Sequence, residues 1–280
     1  MNEPITFAIS NLSAAIPIQL TTVSQTNWPQ FIFSLFFASM ITVYVMYKLV
    51  FAGRVSPFVK IYLWYYKRKT HNRNLIAIVN TNEGFFSFDM ITTATYQNLA
   101  RILQKLRNKP IDLLLHTPGG DMFAAMMISR LLKSYPGEKR AIIPGYAMSA
   151  GTMLALSCDK IHMNPGASLG PVDPQVGMLW KYGPVAGWEK LLKFKGKKVA
   201  DDSFMINHLA KQANNETKDF MTPLIMSHTN NKKCINYFIK GDFMHAHQFT
   251  KEDLMRMGFD IGGIPNWANK IFFKLIGMEK

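Results

Sequence analysis

The 280-residue sequence has few cysteines and no cluster of metal ligands. Only Cys158 and Cys234 are present, so disulfides cannot form a stabilising framework, and no group of Cys and His has zinc-site spacing. These absences disfavour an extracellular disulfide scaffold and a zinc module, and they favour a reducing compartment. We expect no metal and no cofactor.

The sequence also lacks internal repeats and low-complexity tracts. Charged residues make up 18% of the chain and hydrophobic residues 48%. This balance excludes a disordered protein, because the chain has enough apolar surface to bury a full core. One large domain or two small ones fit the length.

Positive charge is missing from the start of the chain, where no Lys or Arg precedes Lys48. Residues 31–47 carry no charge at all, and after Lys48 the apolar run resumes. Counted through Lys48, residues 31–52 are long enough to cross a hydrocarbon core of about 30 Å as a helix. We predict a transmembrane helix over 31–52 after a short non-cytoplasmic tail, residues 1–30. A buried core helix is the alternative, and the missing upstream cations disfavour a signal peptide.

Cations are abundant directly after this stretch, in a basic and aromatic juxtamembrane segment, residues 53–73. Because positive residues mark the cytoplasmic side, we expect a single-pass membrane protein with a cytoplasmic C-terminal domain. The net charge of +14 and the mixing of aromatics with cations fit contact with an anionic lipid surface. A nucleic-acid patch uses the same residue types, but proximity to the anchor favours lipid, and no nucleic acid partner is expected.

From residue 74 onward, short apolar runs alternate with amphipathic stretches. The predicted strands are Leu75–Thr81, Ile111–Thr117 and Lys139–Ala147, and the predicted helices are Thr92–Leu106, Asp121–Ser134 and Ser149–Ser157. This alternation predicts an α/β fold with a mainly parallel sheet. In such sheets the chemistry collects outside the carboxyl ends of the strands.

Two predicted strand ends carry unusual residues. His116-Thr-Pro-Gly-Gly120 places Gly119 and Gly120 before a helix, where their N–H groups are suited to an oxyanion hole, although a plain turn is the alternative. Ser149 lies among small residues where a strand becomes a helix. There it is either a nucleophile or an ordinary helix N-cap.

Together, HTPGG and YAMSAGTMLALSCDKIHMNPGASLGPVDPQ resemble the ClpP/crotonase-fold serine peptidases of the signal peptide peptidase A (SppA) group, most of all the membrane-anchored serine dehydrogenase proteinase branch. The resemblance implies a ClpP/crotonase-like spiral of ββα units over residues 74–263, peptidase activity and a homo-oligomer. It also implies that Ser149 is the nucleophile and that the N–H groups of Gly119, Gly120 and Ala150 form the oxyanion hole.

The general base stays open. ClpP has a histidine about 25 residues after the serine, but Gly170–Gln175 contains none. The SppA group uses a lysine further downstream, which makes Lys211 the first candidate, on a predicted amphipathic helix, and Lys198 the second. His245 is a third candidate, as base or orienter, although a structural role is favoured. A metal site at His245 and His247 lacks further ligands.

Four smaller features lead to further expectations. We expect His116 to hold its loop by hydrogen bonds and Asp173 to organise the turn in GPVDPQ. The many methionines either fill the core, which is favoured, or line a groove for apolar peptides. The C-terminal tail, residues 264–280, is amphipathic, and either partner packing or membrane contact fits it.

The leading functional prediction is a membrane-anchored serine endopeptidase that cleaves hydrophobic or membrane-derived peptides through an acyl-enzyme. A catalytically inactive ClpP-fold scaffold or binding subunit is the main alternative, because no base is assigned. A crotonase-like acyl-CoA enzyme is the third reading, which a serine in the AMSAG position disfavours.

Overall fold

A computed structural model describes residues 29, 32–40, 57–80, 90–178, 181–184, 201–239 and 247–275. The chain divides into two compact units, residues 1–56 and residues 57–280. In the first unit, residues 32–40 form helix α1, whose large apolar side chains are exposed. No helix among the described residues is both long and apolar enough to span a bilayer. Residues 41–52 of the predicted span lie outside the described residues.

The second unit alternates strands and helices. The helices are α2 (Pro57–Lys69), α3 (Thr93–Leu106), α4 (Met122–Ser134), α5 (Ala150–Leu156), α6 (Asp201–Met226), α7 (Lys233–Ile239), α8 (Lys251–Arg256) and α9 (Asn266–Leu275). The strands are β1 (Asn74–Val79), β2 (Ile111–His116), β3 (Lys139–Ile143), β4 (Tyr146–Ala147), β5 (Lys160–Met163), β6 (Ser168–Leu169), β7 (Gln175–Met178), β8 (Lys181–Pro184), β9 (Phe249–Thr250) and β10 (Ile261–Gly263).

The main sheet has five parallel strands in the order β1-β2-β3-β5-β10. Strand β2 is buried along its whole length, as expected for a parallel strand covered on both faces. Its residues alternate between two cores: Leu113 and Leu115 pack with α3, α4 and α5, whereas Leu114 packs with α2 and α9. A small second sheet, β4-β6-β9, and the hairpin β7-β8 complete the strands.

The predicted alternation of strands and helices is confirmed, with one difference. The stretch Lys139–Ala147, predicted as one strand, is split between the two sheets as β3 and β4. Pro144 has no N–H for a ladder, and a Cβ on Gly145 would lie 2.9 Å from the His116 ring. The chain therefore leaves the main sheet at Pro144 and enters the second sheet as β4, and Ser149 follows the carboxyl end of β4.

The described parts of the predicted juxtamembrane segment and of the predicted tail, residues 57–73 and 264–275, lie in the second unit. Helices α2 and α9 cover one face of the main sheet, where Tyr66, Ala268 and Phe272 form a buried cluster with Leu114. The described part of the amphipathic tail therefore uses its apolar face within its own chain.

A buried ionic cluster fastens α2 to the sheet. The carboxylate of Asp112 accepts hydrogen bonds from the Tyr66 hydroxyl, from Arg73 Nε (2.7 Å) and from Arg140 Nε and Nη2 (2.7 and 2.6 Å). Burial opposes charge on this carboxyl, but the bonds from Arg140 and Tyr66 and the charges of Arg140 and Arg73 outweigh it and lower its pKa. Asp112 is therefore a buried carboxylate with a full set of partners.

We expect Asp112→Asn to lower the free energy of unfolding by about 3 to 5 kcal/mol at pH 7, because it leaves Arg73 and Arg140 without their shared anion. Thermal and denaturant unfolding measure the loss, with Asp260→Asn at an exposed site as the control. Since the folded pKa lies below the ordinary value of about 4, the stabilisation is complete above that pH and disappears as the pH falls through the folded pKa. An equal effect of both substitutions would contradict this role.

Candidate active site

The turn after β2 forms a short bridge with Ile91. The Ile91 N–H donates to the carbonyl of Gly119 (3.0 Å), and the Asp121 N–H donates to the carbonyl of Ile91 (2.8 Å). In this parallel pairing the N–H of the central residue, Gly120, faces away from Ile91. A Cβ on Gly120 would lie 2.3 Å from the Ile91 nitrogen, so only glycine fits.

Gly119 packs directly against the serine turn. A Cβ at Gly119 would lie 2.9 Å from Ser149 Cβ and 3.3 Å from the Ala150 nitrogen, and its φ of +121° also favours glycine. Its own N–H donates to Thr117 Oγ1 (3.2 Å). Gly119 therefore permits the close approach of the two segments, while the N–H groups of Gly120 and Ala150 remain the better placed oxyanion donors.

Ser149 has a strained backbone, with φ 51° and ψ −116°, immediately before α5. Its side chain does not cap the helix, so the ordinary N-cap interpretation does not hold. A serine on a strained turn between a strand and a helix is the geometry of a nucleophile elbow, which presents the hydroxyl to a substrate.

A cavity of about 520 Å³ lies beside Ser149. Much of its wall is apolar, and it includes the glycine turn and residues from helix α6. The lining residues are Met90, Pro118, Gly120, Asp121, Met122, Phe123, Met126, Ser149, Asp173, Pro174, Ala213, Glu216 and Thr217. Met90, Met122 and Met126 thus line this cavity, whereas Met153 fills the core.

Asp173 is the buried carboxyl of this cavity, and only 3% of its surface is exposed. Burial raises its pKa to about 6. Two hydrogen bonds hold the residues just before it: Thr152 Oγ1 accepts from Gly170 N (3.1 Å), and Val172 N donates to the Phe238 carbonyl (2.7 Å). The sequence predicted only a turn former here; the available signal was its position in the window where ClpP has its histidine.

Of the three predicted bases, Lys211 alone lies among the described residues. Lys211 is exposed, and on α6 it lies opposite the face that lines the cavity through Ala213, Glu216 and Thr217. Lys211, the first candidate, is therefore poorly placed as the base. Lys198 and His245 lie outside the described residues.

His116 is placed by packing rather than by the predicted hydrogen bonds of its ring. The ring lies 4.2 Å from that of Tyr146, and Nδ1 has no hydrogen-bond partner among the described residues. Burial lowers its pKa, so the neutral ring is favoured. The described part of the chain contains no group of three possible metal ligands.

Comparison with known proteins decides the family. The model of the ClpP-like SDH-type serine proteinases matches residues 19–274. The chain belongs to this family. An uncharacterized protein of Methanocaldococcus jannaschii is 36% identical to this SDH-type chain over 200 residues, covering 68% of each.

The solved structures that are similar to this SDH-type chain include the following two. One is a mutant of the 1510-N membrane-bound stomatin-specific protease, with 17% identity, coverage of 71% of this chain and 82% of that chain, and a TM-score of 0.49. The other is ClpP1 from Listeria monocytogenes, with 13% identity, coverage of 72% and 96%, and a TM-score of 0.47.

We expect Gly119→Ala to reduce peptide hydrolysis by about 100-fold or more, because the new methyl group pushes Ser149 away from the oxyanion donors. Gly166→Ala is the matched control: it has φ +77° and no atom within 4 Å of the added Cβ. Both changes strain the backbone by about 1 to 2 kcal/mol, and only the first meets the active site. Equal activity in the two variants would contradict the close approach.

Proposed function

We propose that this chain is a membrane-anchored serine endopeptidase of the SppA type that cleaves hydrophobic or membrane-derived peptides. The observation that carries the proposal is the uncapped Ser149 on a strained turn, in contact with Gly119 and beside the cavity. A serine used only to start a helix needs neither the strain nor the glycine contact.

The proposed reaction is acyl transfer. Ser149 Oγ attacks a peptide carbonyl while its proton passes to the base, and the N–H groups of Gly120 and Ala150 donate to the resulting oxyanion. The C–N bond then breaks, and the amine leaves with the proton. A water molecule then gives a proton to the base and attacks the serine ester. The base returns this proton to Ser149 Oγ as the acid is released, which restores the hydroxyl.

Asp173 supplies a negative charge inside the same cavity when it is ionised. A buried carboxylate orients a neighbouring base and stabilises the cation that forms when the base takes the serine proton. His245 and Lys198 are the remaining proposals for that base. We assign Asp173 this orienting role because it shares the cavity with Ser149 on a fixed loop.

The cavity wall favours apolar substrate side chains. Met90, Met122, Phe123 and Met126 line it, and Phe123 is 65% exposed although it is aromatic. Adaptable thioethers and an exposed ring can accept varied apolar residues. This supports hydrophobic peptides as the substrate class.

The anchor belongs to the same proposal. Helix α1 exposes Phe33 and Phe36 on its surface, by 67% and 61%, which is unfavourable in water and suited to lipid. With the charge-free run of 31–47 and the cations after it, this supports a single membrane pass with the peptidase domain on the cytoplasmic side. Self-association is a further part of the proposal.

A fluorophosphonate probe tests the nucleophile directly. We expect the full-length protein in detergent to be labelled once, and Ser149→Ala to lose the label completely. Ser134→Ala is the control, because Ser134 is exposed at the end of α4 and its hydroxyl only donates to the Leu131 carbonyl.

The same probe separates the peptidase from the inactive scaffold. If the folded wild type is not labelled under any detergent condition, the peptidase proposal fails and the scaffold alternative is supported. Thioester hydrolysis that survives Ser149→Ala would indicate instead a crotonase-like reaction.

The activity is expected to depend on the ionisation of Asp173. Because its pKa is raised to about 6 and the orienting role needs the carboxylate, kcat/KM falls as the pH decreases through about 6. Asp173→Asn should lower kcat/KM by about 100-fold or more at pH 7 and remove the part of the acid limb near pH 6 that Asp173 causes, while the part caused by protonation of the base remains. Glu216→Gln, an exposed carboxyl at the same cavity, serves as the control. Full activity of Asp173→Asn at every pH would contradict the assignment.

A further inference from the structure

A second cavity, of about 310 Å³, lies between α2, α9 and the main sheet and shares no lining residue with the catalytic cavity. We call it the α2–α9 pocket. Its lining residues are Tyr66, Lys69, Thr70, His71, Arg140, Ile142, His162, Gly263, Ile264, Pro265, Trp267, Ala268 and Phe272. Its volume is in the range of small-molecule sites.

The polar part of the α2–α9 pocket is basic. Lys69, His71, Arg140 and His162 line it, and no Asp or Glu does. The guanidinium of Arg140 is fixed by Asp112 through Nε and Nη2, which leaves Nη1 outside that contact. A guanidinium held in place in this way is well suited to an anion, because little side-chain entropy is lost on binding.

The His162 ring is also held in one orientation. Nδ1 lies 3.0 Å from the Gly263 carbonyl, and a carbonyl only accepts, so Nδ1 carries the proton. The ring lies flat against Gly262, where a Cβ would come within 2.7 Å of it. Nε2 is therefore the ring atom left to contact a ligand.

The other part of the wall is apolar. Trp267, Phe272 and Ile264 come from α9 and the turn before it, and Tyr66 comes from α2. Rings and aliphatic groups beside the fixed guanidinium of Arg140 match a ligand with a charged head and an apolar stem. A bare inorganic anion would leave this surface unused.

We propose that the α2–α9 pocket binds the phosphate head of an anionic amphiphile, with the basic residues on the phosphate and the Trp267 ring and Pro265 on the apolar stem. An anionic phospholipid is the source that this chemistry fits. Helix α2 mixes aromatic and basic residues, and it is the first described helix after the apolar stretch 31–52. The site is independent of the peptidase reaction.

Calorimetric titration of the full-length protein in a non-ionic detergent tests the proposal. The probes are dihexanoylphosphatidylglycerol, dihexanoylphosphatidylcholine and sn-glycerol 3-phosphate. We expect saturable binding of the phosphatidylglycerol at one site, at least about 10-fold weaker binding of the phosphatidylcholine, and at least about 10-fold weaker binding of the glycerol phosphate, which lacks the apolar stem.

The variants place the binding in this pocket. Lys69→Gln combined with His162→Gln should weaken phosphatidylglycerol binding at least about 10-fold, whereas Lys270→Gln, an exposed lysine on α9 outside the lining, should bind like the wild type. Circular dichroism melts confirm that each variant folds. Unchanged binding in the double variant, or no saturable binding in the wild type, overturns the proposal. Glycerol phosphate binding as tight as the lipid overturns the amphiphile assignment.

Discussion

The contact between Gly119 and Ser149 is the constraint on which the active site depends. It brings the turn after β2, in the main sheet, next to the turn after β4, in the second sheet. This close approach is possible because Gly119 and Gly120 have no side chains. Ile91 holds the turn from the other side through two backbone hydrogen bonds. A serine on a strained backbone therefore faces main-chain donors whose positions are set before any substrate arrives.

The same fold explains how the parts beyond the site are held. The side chains of β2 point alternately to its two faces and so contribute to two cores. One core lies under α3, α4 and α5, and the other lies under α2 and α9. Asp112 on β2 links the second core to the sheet because its carboxylate accepts hydrogen bonds from two arginines and a tyrosine. The segment that follows the proposed anchor is thereby fixed to the peptidase domain by buried charge as well as by apolar packing.

The alternation of strands and helices and the turn at Ser149 could be predicted from local pattern, and other features could not. Apolar runs and glycine pairs are local signals, so the strands, the helices and the Ser149 turn follow from the sequence. The burial of Asp173 and the outward position of Lys211 depend on how α6 and the loop after Gly170 pack, which no local pattern contains. Pro144 and Gly145 are a local signal for the break between β3 and β4. The apolar residues on both sides of this pair instead suggested one continuous strand.

A crystal structure of the full-length protein with a peptide boronic acid tests the central claim most directly. The account predicts a tetrahedral boron bonded to Ser149 Oγ, with one boronate oxygen about 3 Å from the nitrogens of both Gly120 and Ala150. Boron bonded to another residue, or a boronate oxygen that contacts neither nitrogen, would contradict it.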